Sequence, residues 1–273
     1  MVVELLSQFK CMKITSWNLN SINARIEHLS KFIKKNKSDI YLLQELKCND
    51  DSFPYEIIEK LGYNCYVNGQ KAWNGVAILS KQKLEIKNKK IPNFSNDPQS
   101  RIIETEIQLK KIKSKIKLFC IYLPNGNPIE TEKFDYKLKW MKEFNKDIKK
   151  LYEEKKPIII GGDFNVIPTD DDVYSPENYK NDACAHPKTR EKFRELLNIG
   201  FCDTVKYFIN GNTNWTFGGY RGGNWQKGNG LRIDHFLTSS ELTEKIKKVE
   251  INRKPRGWNK ASDHTPVTIE FNN

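Results

Sequence analysis

Carboxylates, amides and a histidine recur in this chain at the ends of short apolar runs. Trp17-Asn18-Leu19-Asn20 closes the first run and Gln44-Glu45 the second, and Tyr122 stands near the end of another. Gly161-Gly162-Asp163-Phe164-Asn165 follows Ile158-Ile159-Ile160, Arg232-Ile233-Asp234-His235 lies within a later run, and Ser262-Asp263-His264 precedes the last. Such oxygen donors suit a hard divalent cation, and a carboxylate beside a histidine fixes its tautomer and charge. A polar group just past a buried strand is held rigidly, and strands gathered side by side bring several such groups to one rim. Taken singly, each segment has an ordinary structural reading. Gly-Gly-Asp is good turn chemistry, Asp263 can close a turn before Pro266, and a Glu at a strand end commonly faces solvent. An ordered set of them is not readily placed by chance.

The positioning elements follow from periodicity. β-branched and aromatic content predicts strands over 13–17, 39–44, 75–80, 102–108, 116–123, 157–161, 232–238 and 267–271. Helical patterns cover 21–35, 130–154 and 188–198, with Ser21 able to cap the first and Gly200 to end the last. The segment 111–117 alternates basic and apolar residues, as a solvated hairpin does. Some strands are joined by short turns and others by helices, which is not the regular alternation of a barrel or Rossmann sheet. An α/β architecture of four layers accommodates it: two mixed β-sheets packed face to face with helices outside. No repeat, low-complexity linker or domain break interrupts the chain. Residues 12–273 are expected to form a single domain, and 1–11 a short arm or a start assigned too early.

The 273 residues carry a formal net charge of +12, with 46 basic and 34 acidic side chains. That excess suits a polyanionic partner through counterion release. Lysine and asparagine are abundant throughout, which an AT-rich gene would also produce, so charge alone leaves nucleic-acid binding open. The longest apolar runs are too short to span a bilayer, and the first eleven residues lack the features of a secretory signal. The 6 cysteines form no CxxC pair, which argues against structural zinc and for reduced thiols in a cytoplasmic protein. The stretch 218–225 is rich in glycine and aromatics but too irregular for a dinucleotide fingerprint, and no P-loop occurs.

The full motif set resembles the exonuclease III type of abasic (AP) endonuclease, within the endonuclease/exonuclease/phosphatase superfamily. Ser16-Trp17-Asn18-Leu19-Asn20, Leu43-Gln44-Glu45, Tyr122-Leu123-Pro124-Asn125-Gly126, Gly162-Asp163-Phe164-Asn165, Gly230-Leu231-Arg232-Ile233-Asp234 and Ser262-Asp263-His264 carry the resemblance. It runs from about Met12 to Phe271. Asp182-Ala183 and the segment from Lys188 to Arg194 point to the repair branch. The resemblance implies a Mg²⁺-dependent hydrolase, with Mn²⁺ as a possible substitute, that cleaves 5′ to abasic sites in duplex DNA and trims 3′ ends as a monomer. Phosphodiester hydrolysis needs an activated water, neutralised phosphate charge and a stabilised leaving oxygen.

On that basis Glu45 is the principal metal ligand, with Asn20 and Asp263 beside it. Asp163 positions and deprotonates the water, while Asn18 and Asn165 orient it and contact phosphate oxygen. His264 contacts the scissile phosphate, with Asp234 on its other ring nitrogen. The chain has only 4 histidines, and a lone one is more often structural; the Asp263-His264 pair and Asp234 reverse that expectation. Tyr122 offers its phenol to the phosphate or leaving group, although as a residue alone it is an ordinary strand aromatic. Phe217, Leu231 and Ile233 are expected to line a slot for the abasic sugar, with core packing as the other reading of Ile233. Arg221, Asn125, Lys227 and Arg232 are candidate DNA contacts. Relatives commonly carry an aromatic followed by a polar or acidic residue where Gly218-Gly219 stands, so a loosened pocket is expected here. A phosphatase or phosphodiesterase acting on RNA, inositol phosphates or lipid headgroups shares the core motifs. A binding module without catalysis would be marked by loss of Glu45, Asp163 or His264, all of which are present.

Overall fold

Alternation along the strands decides which side chains can reach a site between the sheets. The computed structural model describes residues 11–109, 112–209, 211, 214–220 and 223–272. Except for Cys11, the expected N-terminal arm lies outside them, as do Arg221 and the first residue of the 111–117 hairpin. The first sheet contains β1 (Met12–Asn18), β2 (Ile40–Gln44), β3 (Asn64–Asn68) and β4 (Val76–Ser80). The second contains β5 (Ile86–Asn88), β6 (Ile102–Ile107), β7 (Ile116–Tyr122), β8 (Ile158–Asp163), β9 (Phe201–Asp203) and β10 (Asp234–Ser239). The chain then returns to the first sheet with β11 (Ile246–Ile251) and β12 (Val267–Phe271). The two 6-stranded sheets run β11-β12-β1-β2-β4-β3 and β5-β6-β7-β8-β10-β9.

Within each sheet one parallel pair is crossed over by a helix: β1–β2 by α1 (Ile22–Asn36), and β7–β8 by α2 (Glu132–Glu153). The remaining pairs are antiparallel. Ile14, Leu42, Leu118, Cys120, Ile159, Phe236 and Ile269 interdigitate between the sheets. On the outer face of the first sheet, Leu29, Phe32 and Ile33 of α1 pack on Trp17, Tyr41 and Leu43. On the outer face of the second, Trp140, Met141 and Phe144 of α2 and Phe193 and Leu196 of α3 (Pro187–Ile199) cover Phe119, Ile121, Ile158 and Ile160. The result is the expected helix–sheet–sheet–helix sandwich. Ser21 caps α1, its hydroxyl accepting from the Ala24 N–H at 3.4 Å, and Gly200 follows α3 with φ 127°. Among the described residues no helix is long and apolar enough to cross a membrane.

The period of two then carries the inner rows outward. Ile14 and Ser16 precede Asn18 on the same face of β1, Leu118 and Cys120 precede Tyr122 on β7, and Ile159 and Gly161 precede Asp163 on β8. Registers Tyr122↔Asp163 and Asp163↔Asp234 set these groups side by side at one end of the sandwich. Gly161 permits the close approach of the sheets, since a Cβ there would stand 2.5 Å from Phe236 and 2.6 Å from Leu42.

Four strands not predicted from the sequence are β3, β5, β9 and β11, and they are the four sheet edges. Edge strands are short and half solvated, and they carry polar residues that oppose further pairing. Asn64 and Asn68 bracket β3, and Lys247, Lys248 and Glu250 interrupt β11. Periodicity therefore finds the centre of each sheet and misses its borders. The strand expected over 232–238 begins at Asp234, because Leu231 instead forms isolated bridges with Phe217 and Val173.

Candidate active site

Asn18 joins the two sheets. Its amide donates to Glu45 Oε1 at 2.9 Å and to Asp163 Oδ2 at 2.9 Å, so both N–H bonds are committed to carboxylates. Its Oδ1 accepts from the Asn20 N–H at 2.9 Å. The Tyr122 hydroxyl also donates to Glu45 Oε1, at 2.9 Å. Asp163 Oδ1 accepts from the Asn165 backbone N–H at 2.9 Å, and His264 Nε2 lies 3.8 Å from Asp163 Oδ2. On its other side the imidazole Nδ1 meets Asp234 Oδ2 at 2.8 Å. Asp163 and Asp234 are each 1% exposed and His264 3%, so these charges interact with little solvent screening.

That crowding sets their protonation. Burial raises the Asp163 carboxyl, the His264 charge pulls it back, and the Asp234 and Glu45 carboxylates raise it again, for a net value of about 7. Burial alone would lower His264, but Asp234 and Asp163 reverse the direction and bring it to about 10. His264 is thus an imidazolium at neutral pH. For Glu45, burial opposes ionisation, but Asn18, His264 and Lys47 outweigh it and hold the carboxyl low. Burial, Glu45 and Asp163 hold the Tyr122 phenol in its neutral, donating form.

A cation has two places to go. Ligand atoms of Glu45, Asp163 and His264 lie within 4.8 Å of one another. The charged imidazolium has no lone pair to offer, which favours the oxygen donors at the edge of the site instead. There the Lys47 ammonium rests 3.0 Å from Glu45 Oε2 and 2.5 Å from Asn20 Oδ1, and Asn20 Nδ2 donates to Asp263 Oδ1 at 3.1 Å. A positive charge already sits against the expected ligands, and an all-oxygen donor set fits a hard cation.

A cavity of about 850 Å³ opens over these groups. Phe217, Leu231 and Ile233 line one side, as expected, with Cys184 and Tyr179 beside them. The Phe217 ring stacks edge-on to His264, with centroids 5.0 Å apart. Asn125 reaches the cavity and donates to Asn165 Oδ1 at 3.1 Å. Lys227 is exposed on the glycine-rich loop and outside the cavity lining.

Arg232 is not a DNA contact. It is 1% exposed, and its guanidinium pairs with Asp172 Oδ1 and Asp203 Oδ2, each at 2.8 Å. These partners are far away in sequence, so a local reading sees only a basic residue in a polar motif. The space near Gly218 is not left open either. A Cβ there would stand 3.0 Å from Trp225, whose ring lies 4.7 Å from the Arg253 guanidinium and 4.9 Å from that of Arg256. Arg256 also donates to the Gly218 carbonyl at 2.7 Å and the Ser262 carbonyl at 2.9 Å. An aromatic supplied from later in the loop fills the volume that glycine vacates.

Sequence reasoning also passed over Lys47 and Arg101. Glu45 and Lys47 both take left-handed backbone, with φ 50° and 54°, so a tight turn after β2 folds the ammonium back onto the carboxylate, and no periodic pattern marks it. Arg101 lies 5.0 Å from the Tyr122 ring and donates to the Tyr122 carbonyl at 3.0 Å, steadying the strand end.

The arrangement has clear relatives. Residues 15–264 match the Endonuclease/Exonuclease/phosphatase family model. The chain is 35% identical over 272 residues to exodeoxyribonuclease III of Haemophilus influenzae, covering 95% of this chain and 100% of that one. It superimposes with a TM-score of 0.89 on the 3′ phosphatase NExo from Neisseria bound to product DNA hairpin, at 32% identity, covering 96% of this chain and 100% of that chain. An AP endonuclease from Archaeoglobus fulgidus gives a TM-score of 0.88 at 32% identity, covering 95% and 99%. Fold, site and sequence agree: the chain belongs to the endonuclease/exonuclease/phosphatase family, in the branch of the exonuclease III and AP endonuclease enzymes.

Proposed function

We propose that this protein is a Mg²⁺-dependent DNA-repair nuclease that hydrolyses the phosphodiester 5′ to abasic sites in duplex DNA, and removes nucleotides or blocking groups from 3′ ends. The observation that carries the reading is the buried Asn18–Glu45–Asp163–His264–Asp234 network at the floor of a cavity with an apolar side wall. Asp163, with its carboxyl raised to about 7, takes a proton from the water that attacks phosphorus. Asn165 fixes the carboxylate through its backbone N–H, and Asn18 holds it from the other side. Both Asn18 N–H bonds are taken, so its part is to orient Asp163 rather than to touch phosphate. As the new P–O bond forms, the P–O3′ bond breaks and its electron pair goes to the 3′ oxygen. The His264 imidazolium, kept charged by Asp234, neutralises the phosphate oxygens, and the neutral Tyr122 phenol, whose proton rests on Glu45 Oε1 in the free enzyme, turns to the phosphate or the leaving oxygen once substrate is bound.

Glu45, Asn20 and Asp263 would hold the Mg²⁺, which supplies Lewis-acid neutralisation of the developing charge. Phe217, Leu231 and Ile233 offer a sugar-sized apolar wall that favours a flipped nucleotide lacking a base. The net charge of +12 suits a phosphate backbone over a small uncharged substrate.

The test is incubation with matched duplexes carrying an internal abasic site, a 3′-phosphate nick or a recessed 3′ end, with and without Mg²⁺. Mg²⁺-dependent cutting of the first, with inositol phosphates left intact, is expected. Hydrolysis of inositol phosphates with DNA untouched would refute the proposal.

A further inference from the structure

Lys137 lies beneath the site and has no part in the chemistry above. It belongs to α2, a helix whose lysines are otherwise largely solvated, yet it is 0% exposed. Its ammonium donates to the Asn125 carbonyl at 3.0 Å and to the Asn165 carbonyl at 2.6 Å. Among the described residues no carboxylate lies within 4.0 Å of it. Gly126, with φ 87°, wraps the loop around its stem so closely that a Cβ would stand 2.5 Å from Lys137 Cδ. The Asn125 and Asn165 side chains then meet at 3.1 Å along the cavity. Burying a cation without an anion costs several kcal/mol. Burial depresses its basicity, with Cys184, Asp182 and Asp163 pulling the other way. A methionine would fill the same space without that cost, so packing alone does not account for a lysine.

We infer that Lys137 is a positioning residue for the hydrolysis proposed above: its ammonium pins the Asn125 and Asn165 carbonyls, fixing the loop that orients Asp163, and its unpaired charge is complemented by the phosphodiester bound in the cavity. The inference rests on that reading of the site, and wild-type cleavage of an abasic duplex in Mg²⁺ checks the reading independently.

The experiment compares wild type with Lys137→Met and Lys137→Ala on that duplex. Folding is followed by circular dichroism and thermal melting. Binding is measured for duplexes whose scissile position is a phosphate or a neutral methylphosphonate. Lys137→Met is expected to melt cooperatively and to lose about 100-fold in kcat. Its preference for phosphate over methylphosphonate should fall by about tenfold. In Lys137→Ala, n-propylammonium should restore at least about tenfold of the lost rate, and n-propanol should not. A kcat within about threefold of wild type in Lys137→Met would overturn the inference, as would an unchanged phosphate preference or equal rescue by propanol. Failure of both variants to fold would assign Lys137 to the scaffold and also overturn it. If wild type cuts no abasic duplex, the proposed function fails first.

Discussion

Replacing Asp234 by Asn isolates the charge that keeps His264 protonated while preserving the shape around it. The pair is 2.8 Å apart, and its side chains are 4% and 1% exposed. The small value typical of solvent-exposed ion pairs therefore does not apply. Breaking a buried pair by removing one charge costs about 3–5 kcal/mol. If the imidazolium is needed only as charge develops on the phosphate, that cost falls on the transition state. At about 1.4 kcal/mol per tenfold, kcat should drop by roughly two to three and a half orders of magnitude with little change in KM. Single-turnover cleavage of an abasic duplex under saturating Mg²⁺ measures it. His264→Asn should cost a similar amount, and the double variant little more than either single one, because the two residues act as one unit. A double variant whose loss is the product of the single losses would refute the argument, as would Asp234→Asn turning over within about threefold of wild type.

Asp163→Asn should lower kcat by several orders of magnitude while duplex binding stays within a fewfold of wild type by fluorescence anisotropy; near-normal turnover would remove Asp163 as the base. Glu45→Ala should raise the Mg²⁺ concentration needed for half-maximal rate, and an unchanged metal titration would take Glu45 out of the metal site. Arg232→Met should leave Asp172 and Asp203 without their buried cation and cost about 3–5 kcal/mol in urea unfolding, whereas weakened DNA binding at unchanged stability would restore it as a DNA contact. Burial opposes the Asp172 charge, but the hydrogen bond and charge of Arg232 prevail, so its folded pKa lies below its unfolded value. Its contribution to stability is present above the unfolded value near about 3.9 and is lost as pH falls through the folded one, so Asp172→Asn should flatten the acid limb of stability against pH. Duplex affinity should fall with salt at a log–log slope of about −0.9 per phosphate contacted, and a slope near zero would remove the backbone as the main partner.

What the sequence discloses here depends on whether a feature is periodic or long-range. Central strands repeat apolar residues every two positions, and that same period carries Asn18, Tyr122 and Asp163 to the inner face at the strand ends. The core machinery was legible because it continues the packing pattern. The edge strands were not, because solvation erases the pattern that marks the centre. Arg232 was misassigned for a related reason. Its neighbour Asp234 does face the site, but Arg232 belongs to the bridging segment before β10 and turns to two carboxylates, 60 and 29 residues away, that no local window contains. The Gly218-Gly219 pair divides: Trp225 stands where a Gly218 side chain would go, whereas a Cβ at Gly219 would meet only Asn224, at 3.8 Å, among the described residues. Trp225, held by two arginines and packed on Gly218, takes up the space over that glycine. Trp225→Gly should therefore open the space that the sequence alone suggested was already open. Cleavage at abasic sites should then weaken relative to 3′-end digestion, and an unchanged ratio of the two activities would show that the volume over Gly218 has no part in choosing between them.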